Sequence, residues 1–104
     1  MKIVYLAHPI SGDVTNNIIK ILSLCKRYHT TKVFPFVPYI VPLQYLDDNI
    51  KGEREKGIKS NLEILKRGIV DELWVCGNKI SMGMKKEIEL AKELKIPIIY
   101  KLNG

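Results

Sequence analysis

Four short apolar runs alternate with segments of helical periodicity, and this alternation constrains the fold more than any other feature of the chain. The runs are rich in β-branched and aromatic residues, which predicts buried strands. They span residues 2–7, 32–37, 71–77 and 96–101. Helical spacing of apolar residues predicts helices between them, over residues 16–29, 53–68 and 82–95. The predicted order is therefore β-α-β-α-β-α-β.

Such an order predicts an α/β fold in which a parallel sheet lies between two layers of helices. We expect a three-layer, Rossmann-like or flavodoxin-like arrangement of about four strands in the order 2-1-3-4, with right-handed crossovers. Pro35 lies inside the second run, which predicts a position at a sheet edge or near a strand end. Residues 38–52 carry two prolines and are predicted to be irregular. The length suits a single domain over residues 1–104.

Composition narrows the possible partners. The formal net charge is +6, but the basic residues are interleaved with glutamates along the predicted helices, which is typical of a solvated surface. We therefore expect no nucleic-acid partner and only a modest attraction for small anionic ligands. The cysteines Cys25 and Cys76 are isolated and have no metal-ligand spacing, which argues against a disulfide framework and a structural zinc site.

The apolar start of the chain, MKIVYLAHPI, is too short for a signal-peptide core or a membrane span. We therefore expect a cytoplasmic protein with no membrane partner. A chain of this size buries a limited core, which favours a homo-oligomer.

Two loops follow the strands that flank the predicted switch point between strands one and three, where ligands bind in such folds. The first loop, AHPISGD, has neither the G-x-G-x-x-G fingerprint nor a P-loop. Its Ser11 and Gly12 offer a hydroxyl group and free backbone amides at a helix start, which suits a phosphate or a sugar hydroxyl. His8 directly follows strand one and is a candidate ligand contact. A plain strand-to-helix turn would explain the same residues.

The second loop, CGNKISMG, leads into the third predicted helix. Ser81 is a suitable N-cap, and its hydroxyl group would face the switch point. Gly83 has no side chain and would let a ligand approach the helix start closely. The alternative is an N-cap followed by an incidental glycine.

Glu87 lies on the apolar face of the third predicted helix. At about 100° per residue, Met84, Ile88, Ala91 and Leu94 form one stripe, and Glu87 falls in its middle. A carboxylate there is costly unless it is paired or faces a cavity. Perturbed carboxylates beside a cleft are candidates for a functional role. The alternative is a salt-bridged glutamate at the edge of the helix.

Three more polar residues occupy positions that point towards the same region. Arg54 and Asn61 are two helical turns apart and fall near the apolar stripe of the second predicted helix. Tyr5 lies near the carboxyl end of strand one, where it could donate a hydrogen bond to a carboxylate. Each has a structural alternative, namely a surface cation, a buried amide bonded to the backbone and a core tyrosine.

Two stretches carry a family resemblance: VYLAHPISGD and DELWVCGNKISMGMKKEIELAKELKIPIIY. The first resembles the opening strand and small-residue loop of the nucleoside 2-deoxyribosyltransferase superfamily. The second resembles its later half, in which a strand is followed by Ser-x-Gly, a glutamate four residues after the glycine, and then an alanine. The superfamily includes 2′-deoxynucleoside 5′-monophosphate N-glycosidases and small uncharacterised phage and bacterial domains, and this chain looks most like the small domains.

The resemblance implies a role for each matching residue. Glu87 matches the catalytic nucleophile, and Tyr5 matches a tyrosine that orients it. The other matches contact the substrate: Ser11, Gly12 and Ser81 near the 5′ end or phosphate, and Gly83 and Met84 along the sugar. His8 and Pro9 replace a pair that commonly contains glycine, and no arginine follows them. Arg54 is a candidate to replace that arginine.

One position departs from the family's pattern. The enzymes carry an aspartate on the second helix that helps to protonate the leaving base, and Asn61 aligns with it. An amide can donate a hydrogen bond but cannot act as a general acid. An alignment without a gap selects Glu63 instead, but Glu63 points away from the apolar stripe. Asp47 or Asp48 is a further possible source of an acid.

The resemblance implies an enzyme that cleaves or exchanges the N-glycosidic bond of a nucleoside or nucleotide through a carboxylate nucleophile, with no cofactor and no metal ion. The alternative hypothesis, which Asn61 favours, is a nucleotide-binding module on the same fold with little or no catalysis. A small α/β interaction protein without a ligand is a third hypothesis.

Overall fold

The computed structural model describes residues 1–102, in which the predicted order of strands and helices is confirmed. The strands are β1 (Lys2–Ala7), β2 (Val33–Phe36), β3 (Glu72–Gly77) and β4 (Ile98–Leu102). The helices are α1 (Val14–Tyr28), α2 (Lys51–Lys66) and α3 (Met82–Glu93). The segment between β2 and α2, predicted to be irregular, contains two short 3-10 helices at Pro38–Ile40 and Pro42–Gln44. Within residues 1–102, no helix is long and apolar enough to span a membrane.

The sheet is parallel throughout and has the strand order β2-β1-β3-β4, as predicted. β1 and β3 are therefore the central pair, and the chain leaves them in opposite directions across the sheet. The predicted edge position of Pro35 is also confirmed, because β2 is an outer strand and pairs with β1 alone. This topology puts the switch point at the carboxyl ends of β1 and β3.

The core is built on both faces of the sheet, because successive side chains of a strand point to opposite sides. On one face, Val4 and Leu6 pack with Leu24 of α1. On the other face, Tyr5 and Ala7 belong to a larger apolar cluster. That cluster includes side chains of α2 and α3: Leu65, Met84, Ile88 and Ala91. Glu87 of α3 therefore enters a layer that is otherwise apolar.

One predicted core position is wrong. Leu94 was expected on the apolar stripe of α3, but its side chain is 42% exposed. The helix ends at Glu93, and Lys95 adopts a left-handed φ of 60°. Leu94 is the C-cap of α3, and its amide still donates to the Leu90 carbonyl. The chain turns towards β4 at Lys95, which leaves the Leu94 side chain exposed at the end of the helix.

Candidate active site

A cleft lies at the carboxyl ends of β1 and β3, at the switch point of the sheet. We use the name strand wall for the side formed by the loop after β1 and the start of α3: His8, Ile10, Ser11, Ser81, Gly83, Met84 and Glu87. We use the name helix wall for the facing side: Asp48, Arg54, Ile58 and Asn61. All residues predicted for the site line this cleft except Tyr5, which lies behind Glu87, and Gly12.

Glu87 and Tyr5 form the buried polar pair of the strand wall. Glu87 is only 7% exposed, Tyr5 is fully buried, and the Tyr5 hydroxyl group donates a hydrogen bond to a Glu87 carboxylate oxygen. Burial raises the pKa of the Glu87 carboxyl group to about 7, while the bond from Tyr5 opposes the shift. Burial, followed by the negative charge of Glu87, raises the pKa of Tyr5 well above its usual value. Tyr5 is therefore a permanent donor, and Glu87 is the member of the pair that titrates near neutral pH.

Tyr39 closes the floor of the cleft and was not identified from the sequence. Its hydroxyl group donates to the backbone carbonyl of Leu6 at 2.5 Å, and its ring centroid lies 6.0 Å from that of Tyr5. The side chain is 96% buried because the first 3-10 helix carries it across the end of β1. Tyr39 thereby ties the irregular segment to the strand that holds Tyr5.

His8 is held in one orientation at the end of β1. Its Nδ1 atom lies 2.7 Å from the carbonyl oxygen of Pro9, and a carbonyl only accepts, so Nδ1 carries a proton. Burial lowers the pKa of His8, which favours the neutral ring with Nε2 as an acceptor. Gly77 at the end of β3 lies directly against the ring, since a Cβ atom added there would stand 3.2 Å from Nε2.

The start of α3 has a hydrogen-bonded N-cap at Ser81 and unoccupied space beside Gly83. Ser81 is the N-cap, as predicted, and its Oγ atom accepts from the Met84 amide at 3.3 Å. The Met84 sulfur atom accepts in return from the Ser81 amide at 3.4 Å. A Cβ atom added to Gly83 would meet nothing within 4 Å. The absence of a side chain at Gly83 thus enlarges the cleft rather than relieving a contact.

The helix wall is more open and is less firmly connected. Asp48 and Asn61 are half-buried, whereas Arg54 is exposed and makes no ion pair within residues 1–102. The Ser11 hydroxyl group donates to the Asp48 carboxylate, and this bond spans the two walls. Sequence patterns do not place Asp48; in the structure it lines the cleft, whereas Asp47 lies outside it. Asp48 is therefore the second carboxyl group of the site.

Two sequence alternatives are resolved by position. Glu63 forms an ion pair with Arg67 at 2.8 Å on the exposed side of α2, so of the two candidates Glu63 and Asn61 it is Asn61 that lines the cleft. Gly12 was expected to contact a ligand, but it lies outside the cleft lining. Its φ of 96° shows a different reason for glycine: the chain turns there to enter α1.

The arrangement pairs a buried carboxylate with a half-buried one across a small cavity, beside amide, guanidinium and imidazole groups. The enclosed part of the cleft has a volume of about 60 Å³. Within residues 1–102, no group of three His, Cys, Asp or Glu side chains is placed to hold a metal ion. The protein groups here can supply a nucleophile or a base, a proton donor and several hydrogen-bond donors.

Comparisons with known proteins give the family of the chain. Neither a curated protein nor a solved structure matches it. A family model described as a domain of unknown function (DUF7768) matches residues 2–101, which cover both walls of the cleft. The chain therefore belongs to the DUF7768 family.

Proposed function

We propose that this protein cleaves or exchanges the N-glycosidic bond of a nucleoside or nucleotide, with the Glu87 carboxylate as the nucleophile. The observation that carries the proposal is the burial of Glu87 in an apolar layer at the wall of a cleft, with the Tyr5 hydroxyl group as its hydrogen-bond donor. A carboxylate is rarely buried in this way without a task, because its desolvation is costly. The resemblance to the nucleoside 2-deoxyribosyltransferase superfamily supports the same role.

The proposed reaction has two steps. A Glu87 carboxylate oxygen attacks the anomeric carbon of the sugar, the bond from that carbon to the base nitrogen breaks, and the base leaves with its bonding electron pair and a proton. A water molecule, or the nitrogen of a second base, then attacks the same carbon and releases the Glu87 carboxylate. The incoming group loses a proton in this step. Tyr5 remains protonated throughout and fixes the carboxylate oxygen that does not attack.

Asp48 is our candidate for the proton donor. The resemblance aligns Asn61 with an aspartate of the deoxyribosyltransferase enzymes, but Asn61 cannot give up a proton, although its amide can hydrogen-bond a base. Asp48 lines the same wall as Asn61 and faces the strand wall, where Ser11 donates to its carboxylate. A protonated Asp48 would transfer its proton to the leaving base and would recover it from the water or base that enters.

The substrate must also occupy the neighbouring cleft beneath the 3-10 segment. The enclosed volume beside Glu87, about 60 Å³, is far below the roughly 300 Å³ or more that is typical of small-molecule sites. A second cleft of about 60 Å³ shares the Asn61 side of the site and has an apolar lining that includes Leu43 and Leu46. We propose that the base enters this apolar cleft and that the segment of residues 41–50 moves outward to admit it.

A substrate panel tests the proposal. The protein is incubated with nucleosides, deoxynucleoside monophosphates and dinucleotides of the NAD type, and free base is measured by chromatography. We expect base release from at least one compound, and a loss of about 10³-fold or more in Glu87→Gln, as found when a nucleophile is removed. The matched control is Glu89→Gln, which removes the same charge from the exposed side of α3. Release that persists in Glu87→Gln would refute the nucleophile.

The alternative is a nucleotide-binding module with little or no catalysis, and the observation that favours it is Asn61 in place of an acid. In that case no compound of the panel releases base, but one raises the melting temperature of the protein, because a ligand of the native state stabilises it. An Asn61→Asp variant separates the two proposals further. Asn61→Asp raises turnover if the missing acid limits catalysis. The variant leaves turnover unchanged if Asn61 only binds the ligand.

A further inference from the structure

A second cavity lies on the other side of His8 from the Glu87 cleft. Its volume is about 320 Å³, and it is formed by one face of α1 and the loop after β3. The polar side chains that line it are those of His8, Asn17, Lys20, Ser23, Arg27 and Asn78. Apart from His8, none of these residues lines the Glu87 cleft, so the cavity is a separate compartment.

The charge of this cavity is entirely positive. No aspartate or glutamate of the described residues lines it, and neither Lys20 nor Arg27 forms an ion pair within residues 1–102. The two cations are seven residues apart on α1, which is two helical turns or about 10 Å along the axis. Ser23 lies between them and adds a hydroxyl group. Lys20 and Arg27 are exposed, and two unpaired cations on one face of α1 make the electrostatic potential at the cavity positive.

His8 contributes a polar side chain that lines both this cavity and the Glu87 cleft. The residue is 93% buried, and its Nδ1 atom is already bonded to the Pro9 carbonyl. Its Nε2 atom has no hydrogen-bond partner within residues 1–102. After burial, which is the larger effect, the charge of Lys20 also lowers the pKa of His8, so the lysine is close enough to act on the ring. A bound anion would reverse this influence and favour a protonated Nε2 that donates.

We propose that the cavity between α1 and the loop after β3 binds phosphoryl groups of a small molecule through Lys20, Arg27 and His8. Arginine binds phosphate oxygens in a bidentate manner and lysine binds them as a point charge. Two cations and an imidazole can together contact more oxygens than one carboxylate offers, which favours a diphosphate. The proposal does not depend on the glycosidic reaction, because the two cations that carry it line this cavity and not the Glu87 cleft, although His8 lines both.

Calorimetric titration with inorganic pyrophosphate tests this site. We expect Lys20→Gln and Arg27→Gln each to weaken binding by about ten-fold or more, as expected for the loss of one charge-assisted contact. The matched control is Lys26→Gln, which removes the same charge from an exposed position of α1 outside the cavity. Glu87→Gln should leave pyrophosphate binding unchanged, so this test can succeed where the glycosidic proposal fails.

Three results would overturn the proposal. The first is no measurable binding of pyrophosphate, and the second is an equal loss in Lys26→Gln, which would mean general attraction to a basic surface. The third is a loss in Ser81→Ala with none in Lys20→Gln, which would place the anion in the Glu87 cleft. Titration with a nucleoside diphosphate then identifies the source of the phosphoryl groups. Equal affinities for pyrophosphate and for the nucleoside diphosphate would mean that the site recognises the diphosphate alone. A higher affinity for the nucleoside diphosphate would mean that one ligand spans both cavities.

Discussion

The strand wall and the helix wall of the cleft differ in how deeply their functional side chains are buried and how they are hydrogen-bonded. In the strand wall, Glu87, His8 and Met84 are all at least 93% buried, and each is fixed by a hydrogen bond or by the core. In the helix wall, Asp48 and Asn61 are half-buried and Arg54 is exposed. The Ser11–Asp48 hydrogen bond is the side-chain bond that joins the two walls.

Under the proposed function, this difference predicts a different task for each wall. Groups that perform chemistry need a fixed geometry, which burial and neighbouring hydrogen bonds provide. Groups on an open wall can rearrange around ligands of different shape. We therefore expect changes in the strand wall to affect the chemical step or the fold, and changes in the helix wall to affect the choice of ligand and the proton transfer.

The largest effect on stability is expected at Gly77, which packs against Pro9 and against His8 of the strand wall. Gly77 has a φ of 93°, and a Cβ atom there would stand 2.7 Å from the Pro9 ring and 3.2 Å from His8 Nε2. Gly77→Ala should therefore lower the free energy of unfolding by about 3 kcal/mol or more, through backbone strain and overlap together. Chemical denaturation measures the loss.

Gly68→Ala is the control for the strain alone. Gly68 has a φ of 75°, but a Cβ atom there meets nothing within 4 Å. It should lose only about 1 kcal/mol, the cost of a left-handed alanine. Equal losses in the two variants would show that the packing of His8 against Gly77 contributes nothing.

The pH dependence of stability should isolate Glu87. Its folded pKa of about 7 lies above the ordinary value of 4.5, so the folded protein keeps a proton that the unfolded chain releases. Stability from this group is complete below pH 4.5 and is lost as pH rises towards 7 and above. The loss between pH 5 and pH 8 should be about 3 kcal/mol.

Glu87→Gln should remove this pH dependence and should make the protein more stable than wild type at pH 8. Denaturation curves recorded at several pH values measure the difference between the two proteins. A wild-type curve with the same slope as that of Glu87→Gln would show that Glu87 titrates as an ordinary exposed glutamate, and the strand wall would then be as open as the helix wall.

The helix wall is tested by Asp48→Asn, measured on a substrate that the panel identifies. The amide still accepts the bond from Ser11 but has no proton to give, so turnover should fall by about 10²-fold, as typical for the loss of a general acid. Asp47→Asn is the adjacent exposed control and should retain the wild-type rate. Equal rates in the two variants would remove Asp48 from the mechanism.

The smallest effect on stability is expected at the opening between the walls. Gly83→Ala adds a methyl group in open space on α3, so it should stabilise the helix by about 0.5–1 kcal/mol while it narrows the cleft. Gly52→Ala on α2 should give the same stabilisation outside the cleft. We expect weaker ligand binding in Gly83→Ala alone, and equal affinities in both variants would show that the ligand does not approach the start of α3.

The sequence predicted the strand wall better than the helix wall, and the reason is periodicity. Glu87 interrupts an apolar stripe of a regular helix, and Tyr5 follows the alternation of a strand, so both positions are visible in a repeating pattern. Tyr39 and Asp48 belong to the segment between β2 and α2, which has no period. Their positions depend on distant contacts, such as the bond from Tyr39 to the Leu6 carbonyl.

The end of a helix was the other source of error. Leu94 matches the period of α3, but the helix ends one residue earlier. Backbone geometry at this chain reversal, which side-chain patterns do not encode, decides the outcome. The ligand contact of Gly12 stays a prediction, and its φ of 96° gives a structural reason for a glycine at the turn into α1.

The edge position of Pro35 gives the sheet two unequal borders. Proline has no backbone N–H, so β2 offers an interrupted row of donors to any strand that approaches from outside. β4, on the opposite border, contains no proline and carries the exposed side chains of Ile99 and Tyr100. The β2 border is therefore a poorer template for strand addition than the β4 border.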